Sequence, residues 1–465
     1  MKQLTKNIVA LVGSDLTRKF FGFLTVAYLT RHVSISDFGL INIGLTILSY
    51  VLIFSSAGIP ALAAREIARS TESSLIGRVL STRFLLTIFS IVVTSLLIFF
   101  FVPERSVALF IIVFTLASIP NAFFLDWYFQ GKESMGSIGA SRGVSAVVSF
   151  LIIFFIVKSS ADVIWVALAA IVGDLCASVM YFLFARNFKL TFNIKFDAGS
   201  SLSLIKQSFP LGLGSILAHA SVNLSPLFIG IVLTTFNVGI FSAANKLVFF
   251  LMIFDRLLST LLLPATSRIF SQHPEQFKQR LEETQKWVLL IALPICIGGT
   301  ALANEIIPFV FGGAYALASK VFSILVWFLL MTMLHTVYSS GLVAIGKEKE
   351  FAKVMIVGSM LYVSFIVIGT LLFQETGAAV AMVLAETCTV VFTLLKLQHH
   401  IKLSPPTSFL QIVLSLLAMT LALHFLVDLH FLMKILVGAI VYVTVSFSIK
   451  AVSLNEIKTM LSRVW

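Results

Sequence analysis

Long apolar segments recur along the whole chain, and they restrict the fold more than any other feature of the sequence. A helix of about 20 residues spans the roughly 30 Å hydrocarbon core of a bilayer. Only helices and closed barrels satisfy their backbone hydrogen bonds in that environment. The sequence therefore predicts an all-α polytopic membrane protein. About fourteen transmembrane helices are expected, over residues 8–30, 39–63, 80–102, 106–130, 137–157, 163–185, 208–235, 238–266, 287–311, 318–345, 352–373, 377–397, 408–427 and 431–450.

The composition agrees with this class and argues against others. Of the 465 residues, 58% are hydrophobic and 12% are charged, whereas about a quarter of a soluble domain is charged. A net charge of +12 would suggest nucleic acid for a soluble protein, but no nucleic-acid partner is expected here. No cofactor or metal is expected either, because the three cysteines lie singly in apolar spans and no histidine spacing suits a metal ion.

The placement of the basic residues predicts the orientation of the helices. Of 33 Lys and Arg residues, 24 fall in the termini and in alternate loops, among them Arg83 and Arg142, and four lie within spans. Because basic residues accumulate on the cytoplasmic side, both termini are expected in the cytoplasm. A cleavable signal peptide is not expected, since Asp15 interrupts the first apolar stretch. Five basic residues fall on the outer side, namely Arg31, Arg105, Lys158, Lys320 and Lys434.

A weak internal repeat relates the two halves of the chain. Asp37-Phe38-Gly39 matches Asn237-Val238-Gly239, and two further matches follow in the same order before Asp174-Leu175-Cys176 matches Glu386-Thr387-Cys388. A unit of six helices returns the chain to its starting side, so the copies are parallel and a site is expected between them. The predicted parts are an N-terminal six-helix lobe (1–190), a cytoplasmic linker (191–207), a C-terminal six-helix lobe (208–402), and two extra helices with a tail (403–465).

Charged residues inside the apolar spans are the candidate functional groups. Each would cost roughly 2.5 to 3.5 kcal/mol at the centre of a lipid-facing helix, so they are expected to face protein or a water-filled cavity. The first and eighth spans together contain four cations and two acids. This surplus of positive charge suits an anion such as a lipid diphosphate. The alternative is that Asp15 pairs with Lys19, and Asp255 with a neighbouring cation, as neutral structural ion pairs inside the protein. The cations are Arg18, Lys19, Lys246 and Arg256, the acids are Asp15 and Asp255, and Asn245 shares the face of Arg256.

Two further acids occupy equivalent positions of the repeat. Asp174 and Glu386 lie in the sixth and twelfth spans with few cations nearby. An apolar interior favours their protonated form, so reversible protonation would suit them to coupling with a proton or sodium gradient. Hydrogen bonding to neighbouring helices is the alternative interpretation. If both acids were ionised and faced the same cavity, they would cancel the positive surplus.

Several short motifs resemble the polysaccharide flippases of the multidrug/oligosaccharidyl-lipid/polysaccharide exporter superfamily, of the O-antigen translocase type. The resemblance covers residues 1 to about 400, and its order and spacing make it specific. The motifs are Tyr28-Leu29-Thr30-Arg31, Phe38-Gly39, Gly58 with Arg65-Glu66-Ile67-Ala68-Arg69, Phe209-Pro210-Leu211, Val238-Gly239-Ile240-Phe241, Ala244-Asn245-Lys246-Leu247, Phe311-Gly312 with Tyr315, and Gly377-Ala378-Ala379 with Glu386.

The resemblance implies a pair of six-helix lobes that alternates access in the bacterial inner membrane. It implies movement of an undecaprenyl-diphosphate-linked oligosaccharide to the outer leaflet without covalent chemistry, and contact with polysaccharide polymerase and chain-length machinery. The cationic cavity of the family would correspond to Arg18, Lys19, Lys246 and Arg256, and its first-helix arginine to Arg31. Phe241 and Ser242 stand where relatives often have a tyrosine and another residue. A lipid II flippase and a multidrug antiporter of the same superfamily, and a membrane polysaccharide polymerase, remain as alternatives.

Overall fold

The structure is a computed structural model that describes residues 2–69, 73–186, 197–426, 429–454 and 456. Residues 2–16, 73–74, 198, 211, 213–222, 261 and 264 are described by their backbone alone. The described part of the chain is helical and contains no strand. This confirms the predicted all-α fold.

The chain divides into two compact units, Met1–Ser242 and Ala243–Trp465. Among its described residues, the first unit contains ten α-helices and the beginning of an eleventh. They are α1 (Lys2–His32), α2 (Ile35–Ser56), α3 (Ile59–Arg69), α4 (Ser73–Phe101), α5 (Arg105–Thr115), α6 (Ser118–Ala122), α7 (Asp126–Gly131), α8 (Met135–Ile156), α9 (Ile164–Arg186), α10 (Ala198–Val232) and α11 (Thr235–Leu251).

The second unit begins within α11 and contains the remaining helices. They are α12 (Ile253–Gln272), α13 (Pro274–Ala301), α14 (Ala303–Phe311), α15 (Ala318–Leu325), α16 (Trp327–Ala344), α17 (Glu348–His400), α18 (Phe409–Phe425) and α19 (Phe431–Ser448). Residues 198–207 of the predicted linker form the first turns of α10, which packs on α2, α3 and α4. Residues 191–196 of that linker lie outside the described residues.

Among the described residues, ten helical stretches are long and apolar enough to cross a membrane. One of them, α17, has non-helical backbone angles at Phe373 and Gln374 and therefore contains two helices joined by a kink. Gly369 and Gly377 flank this kink so closely that a Cβ on either glycine would overlap the backbone of the other. The protein is a multi-pass membrane protein. The count of fourteen helices remains a prediction.

The starts of α2 and α11 show the repeat as local geometry. The Ser34 hydroxyl accepts a hydrogen bond from the backbone amide of Asp37 at 3.1 Å. The Thr234 hydroxyl accepts one from the amide of Asn237 at 3.4 Å. In both cases a hydroxyl residue three positions earlier satisfies an amide of the first turn, which lacks a partner within the helix. The matched sequence triplets therefore begin helices of the same kind.

The same two helix starts contact each other through their backbones. A Cβ on Gly39 would overlap the carbonyl of Thr235, and a Cβ on Gly239 would overlap the carbonyl of Ile35. Both glycines are buried. Because only glycine leaves room for this approach, the repeated glycines of the sequence mark a helix crossing.

Apolar packing fills each unit separately. In the first unit, α3, α4, α7 and α9 enclose the fully buried side chains of Trp127, Phe129 and Tyr181. In the second unit, α13 packs against α16, α18 and α19, and the Tyr442 hydroxyl donates to the carbonyl of Leu290 at 3.0 Å. The two C-terminal helices are therefore part of the core of the second unit.

We expect Gly39→Ala to lower the yield and the thermal-unfolding midpoint of the detergent-purified protein, because its methyl group would separate α2 from α11. Gly22→Ala is the matched control, since a Cβ on Gly22 meets no atom within 4 Å. Alanine also favours a helix by about 1 kcal/mol over glycine, so the control should be neutral or stabilising. Equal midpoints for Gly39→Ala and the unmodified protein would contradict the crossing.

Candidate functional site

Arg83 lies in the interior of the first unit, where its side chain is 5% exposed. It is in the third turn of α4, and its guanidinium donates to the carbonyls of Phe124 and Asn121, both at 3.0 Å. These carbonyls are available because the chain is broken between α6 and α7. The end of a helix carries partial negative charge on its free carbonyls, which stabilises a cation placed there.

A second set of polar contacts adjoins Arg83. Arg142 of α8 forms an ion pair with Asp126 of α7 at 2.7 Å. The Asp174 carboxyl of α9 accepts from the Ser145 hydroxyl at 2.8 Å, and it also interacts with the side chain of Asn121. Polar groups of α4, α6, α7, α8 and α9 therefore form one network inside the first unit. Asp174 is hydrogen-bonded within this network, as one of the two interpretations of the sequence expected.

The assignment of Arg83 to a basic loop was wrong. Arg83 already fell within the predicted span 80–102, and the structure places it in the third turn of α4, which begins at Ser73. The signal available in the sequence was weak: a single acid, Asp126, near the end of an otherwise apolar span that could serve as an electrostatic partner. Sequence reasoning missed the network because its members come from separate helices.

The second unit contains a smaller group of ionisable residues. Thr336 of α16 donates to the Asp255 carboxyl of α12 at 2.6 Å. His335 Nδ1 lies 2.9 Å from the Glu386 carboxyl of α17. Asp255 is close enough to interact electrostatically with both His335 and Glu386. The buried Nε2 atom of His335 has no hydrogen-bond partner among the described residues.

The predicted cavity residues of the first unit are spread along α1. Arg18 is exposed, Lys19 is half-buried, and the side chain of Asp15 lies outside the described residues. Arg31 is in the last turn of the helix. A rise of 1.5 Å per residue puts it about 20 Å along the axis from Arg18, so Arg31 belongs to a different level of the membrane.

Those of the second unit lie on one helical stretch, Thr235–Gln272, in which the single residue Met252 separates α11 from α12. Met252 keeps right-handed helical backbone angles, and the amide of Arg256 donates to its carbonyl at 3.1 Å. Asn245 is buried, and its side-chain oxygen has no partner among the described residues. Lys246 is half-buried and Arg256 is exposed.

A third polar group lies where α1 and α8 end. Arg31, His32 and Lys158 line a cavity of about 550 Å³ together with the aromatic rings of Tyr28 and Phe154. The ring of His32 stacks on that of Tyr28, with centroids 4.0 Å apart. Arg31 is the member of this group that the sequence predicted as a binding residue.

Similarity to known proteins establishes the family of the chain. The sequence model of the family described as "Polysaccharide biosynthesis protein" matches residues 4–270, which is more than half of the chain. The chain belongs to this family. The match includes nearly all of α1, the network around Arg83 and α12 up to residue 270, and it confirms the family resemblance inferred from the motifs.

Two relatives extend the similarity along the chain. The "Putative O-antigen transporter" of Escherichia coli (strain K12) is 24% identical over 424 residues, covering 86% of this chain and 98% of that protein. The protein of the same name from Shigella dysenteriae is 20% identical over 406 residues, covering 84% of this chain and 99% of that protein.

The solved structure "Lipid II flippase MurJ, inward closed conformation" has a TM-score of 0.73 and 15% identity, covering 94% of this chain and 98% of that one. This chain therefore has a fold of the same kind as that flippase.

We expect Arg83→Met to lower the thermal-unfolding midpoint of the purified protein clearly. The substitution keeps only the aliphatic part of the side chain and removes the charged donors, and a hydrogen bond from a charged group contributes about 1.5–3 kcal/mol. The carbonyls of Phe124 and Asn121 then keep only their bonds from Trp127 Nε1 and from the amide of Phe124. Arg105→Met is the matched control, because Arg105 is exposed and contacts the ring of Phe99. Equal midpoints for the two variants would show that the network around Arg83 contributes nothing to stability.

Proposed function

We propose that the protein is a flippase that moves a polyprenyl-diphosphate-linked oligosaccharide, an O-antigen or other surface polysaccharide repeat unit, from the cytoplasmic to the outer leaflet by alternating access. The barrier to spontaneous movement is the transfer of a charged head group into hydrocarbon, which costs tens of kcal/mol in the Born limit. A protein lowers that barrier if it offers the head group a polar path while the prenyl chain stays in lipid. No covalent chemistry is required.

The observation that carries this proposal is the set of cations within apolar helices of a member of the polysaccharide biosynthesis family. Arg18 and Lys19 lie on α1, and Lys246 and Arg256 lie on α11 and α12. Guanidinium groups offer a planar fork that binds phosphate oxygens in pairs, and lysines supply point charges. We propose that these four residues, with Asn245 and Arg31, hold the diphosphate and its first sugars at successive stages. The unsatisfied oxygen of Asn245 suits a sugar hydroxyl.

The proposed location is the bacterial inner membrane, with both termini in the cytoplasm. The excess of basic residues in alternate loops supports this orientation. The relatives named as O-antigen transporters support a cargo of the same class. We propose that the protein acts beside the polymerase and chain-length machinery that would use the flipped unit.

We further propose that transport is coupled to a proton gradient through the ionisable group of the second unit. The pair of His335 and Glu386 changes its charge when either member gains or loses a proton, and Asp255 responds electrostatically to that change. A titratable pair held between α16 and α17 can therefore favour different arrangements of these helices in its different protonation states. Asp174, hydrogen-bonded to Ser145, is the equivalent acid of the first unit.

We expect Arg18→Ala or Arg256→Ala to abolish export of the surface glycan while the protein is still made, because each removes a phosphate-binding cation. Lysine substitutions at the same positions should retain part of the export. Arg105→Ala, which removes a cation from the outer surface, is the control. Surface glycan is measured in a deletion strain carrying each variant. Normal export in both alanine variants would contradict the proposal that Arg18 and Arg256 bind the diphosphate.

We expect Glu386→Gln to abolish the proton flux that accompanies transport. The measurement uses proteoliposomes that enclose a pH-sensitive dye, to which a prenyl-diphosphate saccharide is added from outside. Glu348→Gln, which alters an exposed acid at the start of α17, should keep the wild-type flux. An unchanged ratio of protons to substrate in Glu386→Gln would rule out this acid as the coupling group.

The experiment that tests the proposed function itself is the extraction of lipid-linked intermediates from a deletion strain. A membrane-impermeant probe assigns each intermediate to a leaflet. Accumulation of a diphosphate-linked repeat unit on the cytoplasmic leaflet is the expected result. Accumulation of a peptidoglycan precursor would identify a lipid II flippase instead. Unchanged surface glycan with increased drug sensitivity would identify a multidrug transporter.

A further inference from the structure

The cavity at the ends of α1 and α8 combines basic and apolar walls, and Arg31 of its lining also belongs to the binding residues proposed above. Its basic residues are Arg31, His32 and Lys158. Leu24, Phe150 and Phe154 form the apolar part, which lies deeper along the same two helices. A head group with negative charge and a hydrocarbon chain would meet matching surfaces there. We call this cavity the α1/α8 groove.

Lys158, just after the end of α8, is held in a fixed position in the groove. Its ammonium donates to the Phe154 carbonyl at 2.6 Å and to the Tyr28 hydroxyl at 3.1 Å. It also lies 5.6 Å from the centre of the Tyr28 ring and 5.2 Å from that of Phe154. An ammonium has three N–H donors. These two contacts use two of them, so one N–H is available to a ligand as far as the described residues show.

The acids closest in sequence to the groove are engaged in bonds of their own. The Asp162 carboxyl accepts from the backbone amides of Lys158 and Ser159, both at 3.1 Å, and these bonds lower the pKa of the carboxyl. The Asp37 carboxyl accepts from the Ser34 hydroxyl at 2.5 Å. Neither acid lines the groove. The lining of the groove is therefore basic and apolar, and an anionic ligand would meet no carboxylate in it.

The position of the groove restricts its occupant to a lipid. Arg31 and Lys158 belong to the few basic residues expected on the outer side of the membrane. The rings of Phe154 and Phe155 are 41% and 68% exposed, as expected for a surface that faces acyl chains. An anionic lipid of the outer leaflet can put its phosphate against the basic residues and its chain along Leu24 and Phe150. A soluble anion would leave the apolar walls uncovered.

We propose that the α1/α8 groove binds a prenyl diphosphate lipid at the outer leaflet, as a second station for the head group after it leaves the central path. This proposal rests on the function proposed above. The number of basic groups favours a diphosphate over a bulk phospholipid. Arg31 and Lys158 provide two positive charges, more than the single negative charge of a common phospholipid phosphate balances. A diphosphate carries enough negative charge to engage them together.

The test is photo-crosslinking of the full-length, detergent-purified protein with a photoactivatable farnesyl diphosphate, followed by mapping of the labelled peptides. We expect label on the segments that contain Leu24 and Phe154. Arg31→Gln and Lys158→Gln should each reduce this label at least tenfold. Lys158→Arg should restore most of it, and Arg105→Gln, which alters another cation of the outer side, should not change it.

Competition distinguishes the sources of the phosphate. An excess of unlabelled farnesyl diphosphate should remove the label, whereas phosphatidylglycerol, farnesol or pyrophosphate at the same concentration should not. Equal displacement by phosphatidylglycerol would overturn the proposal, because the groove would then be an ordinary lipid-contact surface. Label that is insensitive to both glutamine variants, in proteins with unchanged thermal-unfolding midpoints, would also overturn it.

The photo-crosslinking result and the deletion-strain result test the two proposals independently. If the deletion strain shows the expected accumulation but the groove is not labelled, the flippase function stands and the second station is wrong. If the groove is labelled in a charge-dependent manner while the strain exports its glycan normally, prenyl diphosphate binding stands and the flippase assignment is wrong.

Discussion

The architecture depends on how a chain stabilises ionisable groups that water cannot reach. An unpaired charge in the interior is costly, so each such group must be placed where another part of the fold supplies its counterpart. Arg83 shows the reciprocal nature of this requirement. The break between α6 and α7 makes the carbonyls of Asn121 and Phe124 accessible to the guanidinium, and Arg83 without that break would lack these acceptors. The irregular segment and the buried cation therefore stabilise each other.

The same requirement produces different results in the two units. In the first unit, a cation, an ion pair and an acid join five helices in a network in which most groups are satisfied. In the second unit, His335 pairs with Glu386 through Nδ1, and its other ring nitrogen, Nε2, has no partner among the described residues. The Nε atom of Arg83 in the first unit also lacks a partner among the described residues, so both units contain a buried polar atom that is costly to leave unpaired. The units differ in the size of the network, which joins five helices in the first unit and α12, α16 and α17 in the second.

The sequence predicted those features that depend on the local order of residues. Apolar length indicated the all-α membrane fold, and the matched triplets at residues 37–39 and 237–239 located two helix starts with the same cap and the same close crossing. The family was also predictable from short motifs. The network around Arg83 and the partner of Glu386 were not predictable, because their members are 16 to 51 residues apart and a hydropathy average contains no information about which helices touch.

The division between the two compact units falls within α11, between Ser242 and Ala243, where the neighbouring side chains are fully buried. The covalent connection is therefore a continuous helix, and its first turn is fixed to α2 by two glycines. Asn245 and Lys246 therefore lie on the same helix as the glycine crossing, one to two turns beyond Gly239. A substitution that displaces α11 at this crossing would displace these two candidate binding residues as well, although neither of them contacts α2 through a glycine.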